Sequence, residues 1–286
     1  MRPANIITSI ADVLAGIAIS GYLANANLSQ NYLSPIFLLI ISTIGLYGGG
    51  VVFNDVFDAE LDKIERPERP IPKGIISIKE ASFLGIILLL AGIISAAMVS
   101  LLSGVLALSI AVASLIYDKW SKHNAFAGPL NMGLCRGLNL LLGISIIVSS
   151  VAAWWFLAIV PVIYIAAITM VSRGEVHGGS KNILYAAAFF YCIVIGGILF
   201  LSTQRNMLWW AIIFLLPFSW MIFSALIRAI RLPTPKNIGK AVKAGVIALI
   251  LMNASWAAAF GAISLAFLIL LLLPVSLWLA KIFAVT

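Results

Sequence analysis

Long apolar runs alternate with short polar breaks along the whole chain. The runs near 5–24, 33–58, 78–100, 102–118, 128–149, 152–173, 182–202, 207–230, 238–258 and 260–282 each approach the length needed to cross a bilayer as a helix. Lipid offers no partner for free backbone N–H and C=O groups, so such runs must be helical. The pattern predicts an all-α fold: a polytopic transmembrane bundle of ten spans, or nine if the last two are continuous through Gly261. The connections are short and no internal repeat is evident, so residues 1–286 are expected to form a single domain around a central cavity open near one face. Arg2 ahead of an apolar run, with Ala24-Asn25-Ala26 after it, imitates a cleavable leader. Asp12 inside the run, and the run's length, point instead to a retained span.

Composition agrees with this reading. The chain is 63% hydrophobic and 10% charged, against about 25% charged in soluble domains. The net charge of +8 is no nucleic-acid signature, because the cations sit in the short loops. With the first span starting inside and ten spans in all, every Lys and Arg except Arg205 falls on that face, which places the N-terminus and the acid-rich loops in the cytoplasm, whereas nine spans would put Lys281 outside as well. The acids follow the same side, only Asp12 lying within a span. Topology has little use for acids, so both signs on one face predict a polar site at the mouth of the bundle, with a greasy ligand portion between helices. Cys135 and Cys192 lie in predicted spans and read as core filler.

Chemistry concentrates first at Asn54–Gly74, NDVFDAELDKIERPERPIPKG. Half of the ten acidic residues, Asp55, Asp58, Glu60, Asp62 and Glu65, fall between Asp55 and Glu65. Asn54, Asp58 and Asp62 recur every fourth residue and share one face of a helix. A stack of acids needs a cation, and hard oxygens suit Mg²⁺. Glu60 and Glu65 lie off that face and read as solvated or paired with Lys63. Arg66, Arg69 and Lys73 follow at once, on a segment stiffened by Pro67, Pro70 and Pro72. Acid, metal and arginine together at a membrane edge suggest a diphosphate.

The string N-D-x-x-D-x-x-x-D followed by R-P-x-R-P-I-P-x-G resembles the UbiA superfamily of intramembrane prenyltransferases, unbroken from Asn54 through Gly74. The resemblance implies that Asn54, Asp58 and Asp62 hold Mg²⁺ and a prenyl diphosphate, and that Arg66 and Arg69 contact its oxygens. Tyr117–Gly137 is similar to the family as well. Lys122 would then touch the diphosphate, and Asn131 and Arg136 would bind substrate from within a span. For Arg136 a structural salt bridge, with Asp12 as partner, is the alternative. The segment Ser172–Lys181, SRGEVHGGSK, stands where the family has a second aspartate motif resembling D-x-x-D-x-E-G-D. Here Glu175 alone keeps a carboxylate. Either Arg173, Lys181 and His177 replace a second metal by direct contact, or Glu175 binds metal with His177 in support, or the ionising chemistry is lost. That segment and the C-terminal FAVT are also similar to the EboC-like branch of the superfamily, which implies an atypical substrate or a non-catalytic role.

The expected activity is a Mg²⁺-dependent transfer of an isoprenoid group from a prenyl diphosphate to an aromatic or other hydrophobic acceptor. Asp58, Asp62 and Glu175 are the candidate catalytic residues. The alternative is a binding, scaffold or export component for a hydrophobic metabolite. Either form works in the lipid bilayer and neither involves nucleic acid. Gly48-Gly49-Gly50 predicts close helix approach, with room for an isoprenoid tail as the second reading. Trp154, Trp155, Trp209 and Trp210 predict interfacial anchors.

Overall fold

A computed structural model describes residues 3–24, 32–175 and 178–283, apart from the side chain of His123. The described residues form α1 (Pro3–Ser20), α2 (Ser34–Phe57), α3 (Ala59–Glu65), α4 (Ile78–Ala97), α5 (Leu101–Lys119), α6 (Ala127–Ile144), α7 (Val148–Trp154), α8 (Ile159–Ser172), α9 (Lys181–Gln204), α10 (Leu208–Arg231), α11 (Pro235–Ala259), α12 (Ile263–Leu270) and α13 (Leu272–Ile282). Short 3-10 turns at Ser121–His123 and Trp155–Ala158 complete them. Nine helical stretches among the described residues are long and apolar enough to cross a membrane, with α7–α8 and α12–α13 each acting as one stretch. The tenth expected run, α6, is absent from that set because Asn131, Arg136 and Asn139 interrupt it. The break at Gly261 is real: its φ of +80° is a left-handed conformation that favours glycine, and it parts α11 from α12.

The helix ends follow local chemistry. Ser77 caps α4 through a reciprocal capping box with Glu80. Ser100, Ser180 and Thr234 cap α5, α9 and α11 by accepting from backbone N–H groups of the first turn.

α1 and α11 are the buried axis of the bundle, whereas α4, α9 and α13 expose wide apolar faces such as Phe83, Phe189 and Trp278. That distribution suits helices that face lipid. Small residues bring backbones together. A Cβ on Gly16 would collide with the Leu140 carbonyl, and one on Gly143 with the Val13 carbonyl, so α1 and α6 touch main chain to main chain. Gly45 and Gly92 do the same for α2 and α4.

At the centre of this packing lies Asp12, only 1% exposed. Its Oδ2 accepts from Arg136 Nη1 at 2.6 Å and from Asn139 Nδ2 at 3.3 Å, and its Oδ1 accepts from Asn253 Nδ2 at 2.7 Å. Arg136 Nη2 also donates to Thr8 Oγ1 at 2.7 Å, and Thr43 Oγ1 donates to Asn139 Oδ1 at 2.8 Å. One polar network therefore fixes α1, α2, α6 and α11 in mutual register. The salt bridge that the sequence left as one of two readings for Arg136 is formed.

Removing one partner strands a buried charge, which is worth about 3–5 kcal/mol. Asp12→Ala is expected to lower the apparent melting temperature of the detergent-solubilised protein sharply. The paired change Asp12→Leu with Arg136→Met should recover much of the loss. Equal melting temperatures for wild type and Asp12→Ala would contradict the network's structural role.

Candidate active site

The polar end of α2 builds the site. α2 stops at Phe57, and Asp58 leaves the helical conformation with φ −90° and ψ 1°. The hydrogen bonds Asp58 N→Asn54 O and Asp62 N→Asp58 O nevertheless continue the helical path into α3. The fourfold spacing thus survives a kink, and Asn54, Asp58 and Asp62 all face one cavity of about 420 Å³. That volume lies within the usual range of small-molecule sites, about 300–1,000 Å³. Leu46, Tyr47, Gly50 and Val51 of α2, Ile110, Ser114 and Tyr117 of α5, and Met132, Cys135, Arg136 and Asn139 of α6 form its deeper walls.

Cations meet the acids at the mouth. Lys122 Nζ donates to Asp58 Oδ1. Arg69 Nη1 bridges Asp62 Oδ2 at 2.6 Å and Asp55 Oδ1 at 3.1 Å. Asp62 is 4% exposed, so it is buried only because Arg69 neutralises it. Arg66 and Glu65 stand at the rim, exposed. Glu60 pairs with Lys63 at 2.8 Å as expected, whereas Glu65 turns to the cavity rather than to Lys63. The loop 66–74 closes on itself through Arg69 N→Arg66 O and Lys73 N→Arg69 O, with Gly74 at φ +71° ending it.

Asp118 belongs to this site although the motifs did not single it out. It is 5% exposed on the last turn of α5 and accepts from Asn54 Nδ2 at 3.1 Å. That bond turns the Asn54 carbonyl oxygen away from Asp118. The available signal was its place beside Tyr117 and four residues before Lys122, which sets Asp118 and Lys122, at and just past the end of α5, against Asn54 and Asp58, at and just past the end of α2.

The remaining predicted residues divide. Arg136 lines the cavity floor, with its guanidinium over the Tyr47 ring at 5.7 Å. Asn131 braces the Lys122 loop by donating to Ser121 Oγ at 3.2 Å and does not line the cavity. Arg173 donates to the Asn124 carbonyl, two residues from Lys122. Glu175 packs beside Gly239 of α11, where a Cβ would lie 3.7 Å from its Oε1. Lys181 opens α9 and is exposed. None of these three lines the cavity. Val176 and His177, and the final residues of FAVT, lie outside the described residues. The triple glycine serves two ends: a Cβ on Gly49 would meet Leu89 at 2.7 Å, while one on Gly50, which lines the cavity, would rest against Ser114 at 3.4 Å. Cys135 lines the cavity, and Cys192 is exposed on α9 rather than core.

Among the described residues, no three His, Cys, Asp or Glu side chains converge closely enough to cage a metal. Mg²⁺ does not need such a cage, since it is usually held by one or two carboxylates with phosphate oxygens and water. The hard oxygens of Asn54, Asp58 and Asp62 fit a Mg²⁺ shared with a phosphate ligand.

The model of the UbiA prenyltransferase family matches residues 13–242, and the chain belongs to that family. The digeranylgeranylglyceryl phosphate synthase of Sulfurisphaera tokodaii is 32% identical over 181 residues, covering 59% of this chain and 64% of that protein. The enzyme of that name from Saccharolobus solfataricus is 35% identical over 156 residues, 54% of each chain. Both matches span less than two thirds of those relatives. Among solved structures, a UbiA homolog from Archaeoglobus fulgidus bound to GPP and Mg²⁺ superimposes with a TM-score of 0.65 at 17% identity, over 92% of this chain and 96% of that one. A digeranylgeranylglyceryl phosphate synthase structure gives 0.64 at 22% identity, over 91% and 95%. These likenesses establish a common fold.

The Arg69 bridge carries a prediction. Arg69→Ala leaves the Asp62 carboxylate buried without its partner, worth about 1–3 kcal/mol. Trypsin cleavage after Lys73, the cleavable basic site of a loop in which prolines follow Arg66 and Arg69, should accelerate at least about fivefold in the solubilised protein, the factor for about 1 kcal/mol. An unchanged cleavage rate would mean that Arg69 does not hold this loop.

Proposed function

We propose that the protein is a Mg²⁺-dependent intramembrane prenyltransferase that takes the isoprenoid group of a prenyl diphosphate to a hydrophobic acceptor. The observation that carries this is the single cavity in which Asn54, Asp58 and Asp62 face Lys122, Arg66 and Arg69 at a polar mouth, while apolar residues of α2, α5 and α6 line its depth. The mouth suits a diphosphate and the depth suits an isoprenoid tail. Cations concentrated on this face support a cytoplasmic mouth.

Bound Mg²⁺ would neutralise the diphosphate and stabilise the charge it gains on leaving. Lys122, Arg66 and Arg69 contribute fixed positive charge at the same oxygens. The bond from the allylic carbon to oxygen breaks with its electron pair going to the diphosphate. The walls at Leu46, Ile110 and Met132 keep water from the resulting cation. The acceptor nucleophile then bonds to that carbon and gives up its proton.

The names of the relatives support a glyceryl phosphate acceptor, whose hydroxyl oxygen would attack. The basic character of the segment around Arg173 and Lys181 supports an anionic headgroup on that side. An aromatic acceptor has no comparable support. The second reading, a binding or export component, rests on the retention of Glu175 as the sole carboxylate in the α8–α9 segment.

Purified protein in nanodiscs with Mg²⁺, several prenyl diphosphates and a panel of glyceryl phosphate and aromatic acceptors should release diphosphate and form product. Asp58→Asn and Asp62→Asn should each lower turnover by roughly 10²–10³-fold, as for loss of one group that stabilises developing charge, and chelation should abolish it. Absence of diphosphate release under every pairing would sink the enzymatic reading. Survival of the cellular role in Asp58→Asn would favour the scaffold.

A further inference from the structure

Basic side chains already engage the acids of the site. Lys122 pairs with one oxygen of Asp58, and Arg69 with one oxygen each of Asp62 and Asp55. The Lys122 and Asp58 side chains are only 13% and 19% exposed, and those of Arg69 and Asp62 only 18% and 6%, so water does little to weaken either pair. Both cations come from segments outside α2. Lys122 lies on the turn after α5, held by Asn131 through Ser121, and Arg69 lies on the proline-rich loop.

We propose that Lys122 and Arg69 are stand-in cations that make metal and diphosphate binding mutually dependent. The inference rests on the reading of this cavity as a Mg²⁺–diphosphate site. A divalent ion arriving alone at Asp58 or Asp62 competes with Lys122 or Arg69 for the negative charge of that carboxylate. That leaves an ammonium or guanidinium in a largely enclosed mouth beside a second positive ion. A diphosphate arriving alone meets carboxylates as well as cations. When both arrive, the carboxylates turn to the metal and the two cations turn to phosphate oxygens, so every charge exchanges one partner for another. The favourable coupling between the two ligands is therefore built into the resting ion pairs. Its consequence is that the site stays closed to free Mg²⁺ at concentrations where it takes the metal–diphosphate pair.

Mn²⁺ binding measured by electron paramagnetic resonance tests this without turnover, with inorganic diphosphate as the second ligand. In the wild type, diphosphate should tighten Mn²⁺ binding roughly tenfold or more, within the usual range of coupling between sites. Lys122→Met should bind Mn²⁺ alone more tightly than the wild type, since it leaves Asp58 uncompensated, and should lose most of the enhancement by diphosphate. Arg69→Gln should behave likewise through Asp62, and Lys122→Arg should keep the wild-type pattern. Wild-type protein that binds Mn²⁺ equally with and without diphosphate would overturn the proposal while leaving the site reading intact. So would Lys122→Met and Arg69→Gln variants that bind Mn²⁺ alone no better than the wild type. Failure of the wild type to bind Mn²⁺ under either condition would overturn the site reading and, with it, the proposal.

Discussion

Asp12 sets the terms for the rest of the bundle. A carboxylate inside the hydrocarbon layer must be neutralised and fully hydrogen-bonded, or the helix that carries it leaves the membrane. Arg136 supplies the charge, and Asn139 and Asn253 donate to the same two oxygens. Meeting that demand draws α1, α6 and α11 to one point, and Thr43 adds α2 through Asn139. The close glycine contact of Gly16 with Gly143 allows the approach that the pair requires. α6 is then held with Met132, Cys135 and Arg136 toward the cavity, and the turn before it delivers Lys122 to Asp58.

Two polar layers follow from this arrangement. The deep layer, around Asp12, is closed and saturated, and its function is register. The layer at the mouth, around Asp58 and Asp62, is balanced by Lys122 on a turn and Arg69 on a loop. Both layers balance acids with bases. They differ in that the mouth opens on the cavity, while the interior network is buried.

Much of this was legible in the sequence. The apolar runs located the helices, because lipid permits no other backbone solution at that length. The spacing of Asn54, Asp58 and Asp62 placed them on one face, and the kink at Asp58 did not disturb it because the i→i+4 hydrogen bonds carry through. α6 was found as an apolar run even though Asn131, Arg136 and Asn139 dilute it. What escaped was partner choice. Asp118 bonds Asn54 across a separation of 64 residues, and Asn253 reaches Asp12 across 241. Periodicity describes one helix at a time and is silent about which faces meet. The same limit applies to Gly49 and Gly50, neighbours in sequence of which one packs tightly on Leu89 and the other lines the cavity against Ser114. Cys192 was misplaced because an apolar span does not declare which side faces lipid.

The central claim is that the cavity below Asp58 and Asp62 is a diphosphate site with an isoprenoid channel beneath it. An experimental structure with Mg²⁺ and a non-cleavable prenyl thiodiphosphate tests it most directly. The account predicts the diphosphate at the mouth with Lys122 and Arg69 turned to its oxygens, and the tail running along Gly50, Ile110 and Met132. A ligand seated away from Asp58 and Asp62, or those carboxylates still held by Lys122 and Arg69 with ligand bound, would contradict it.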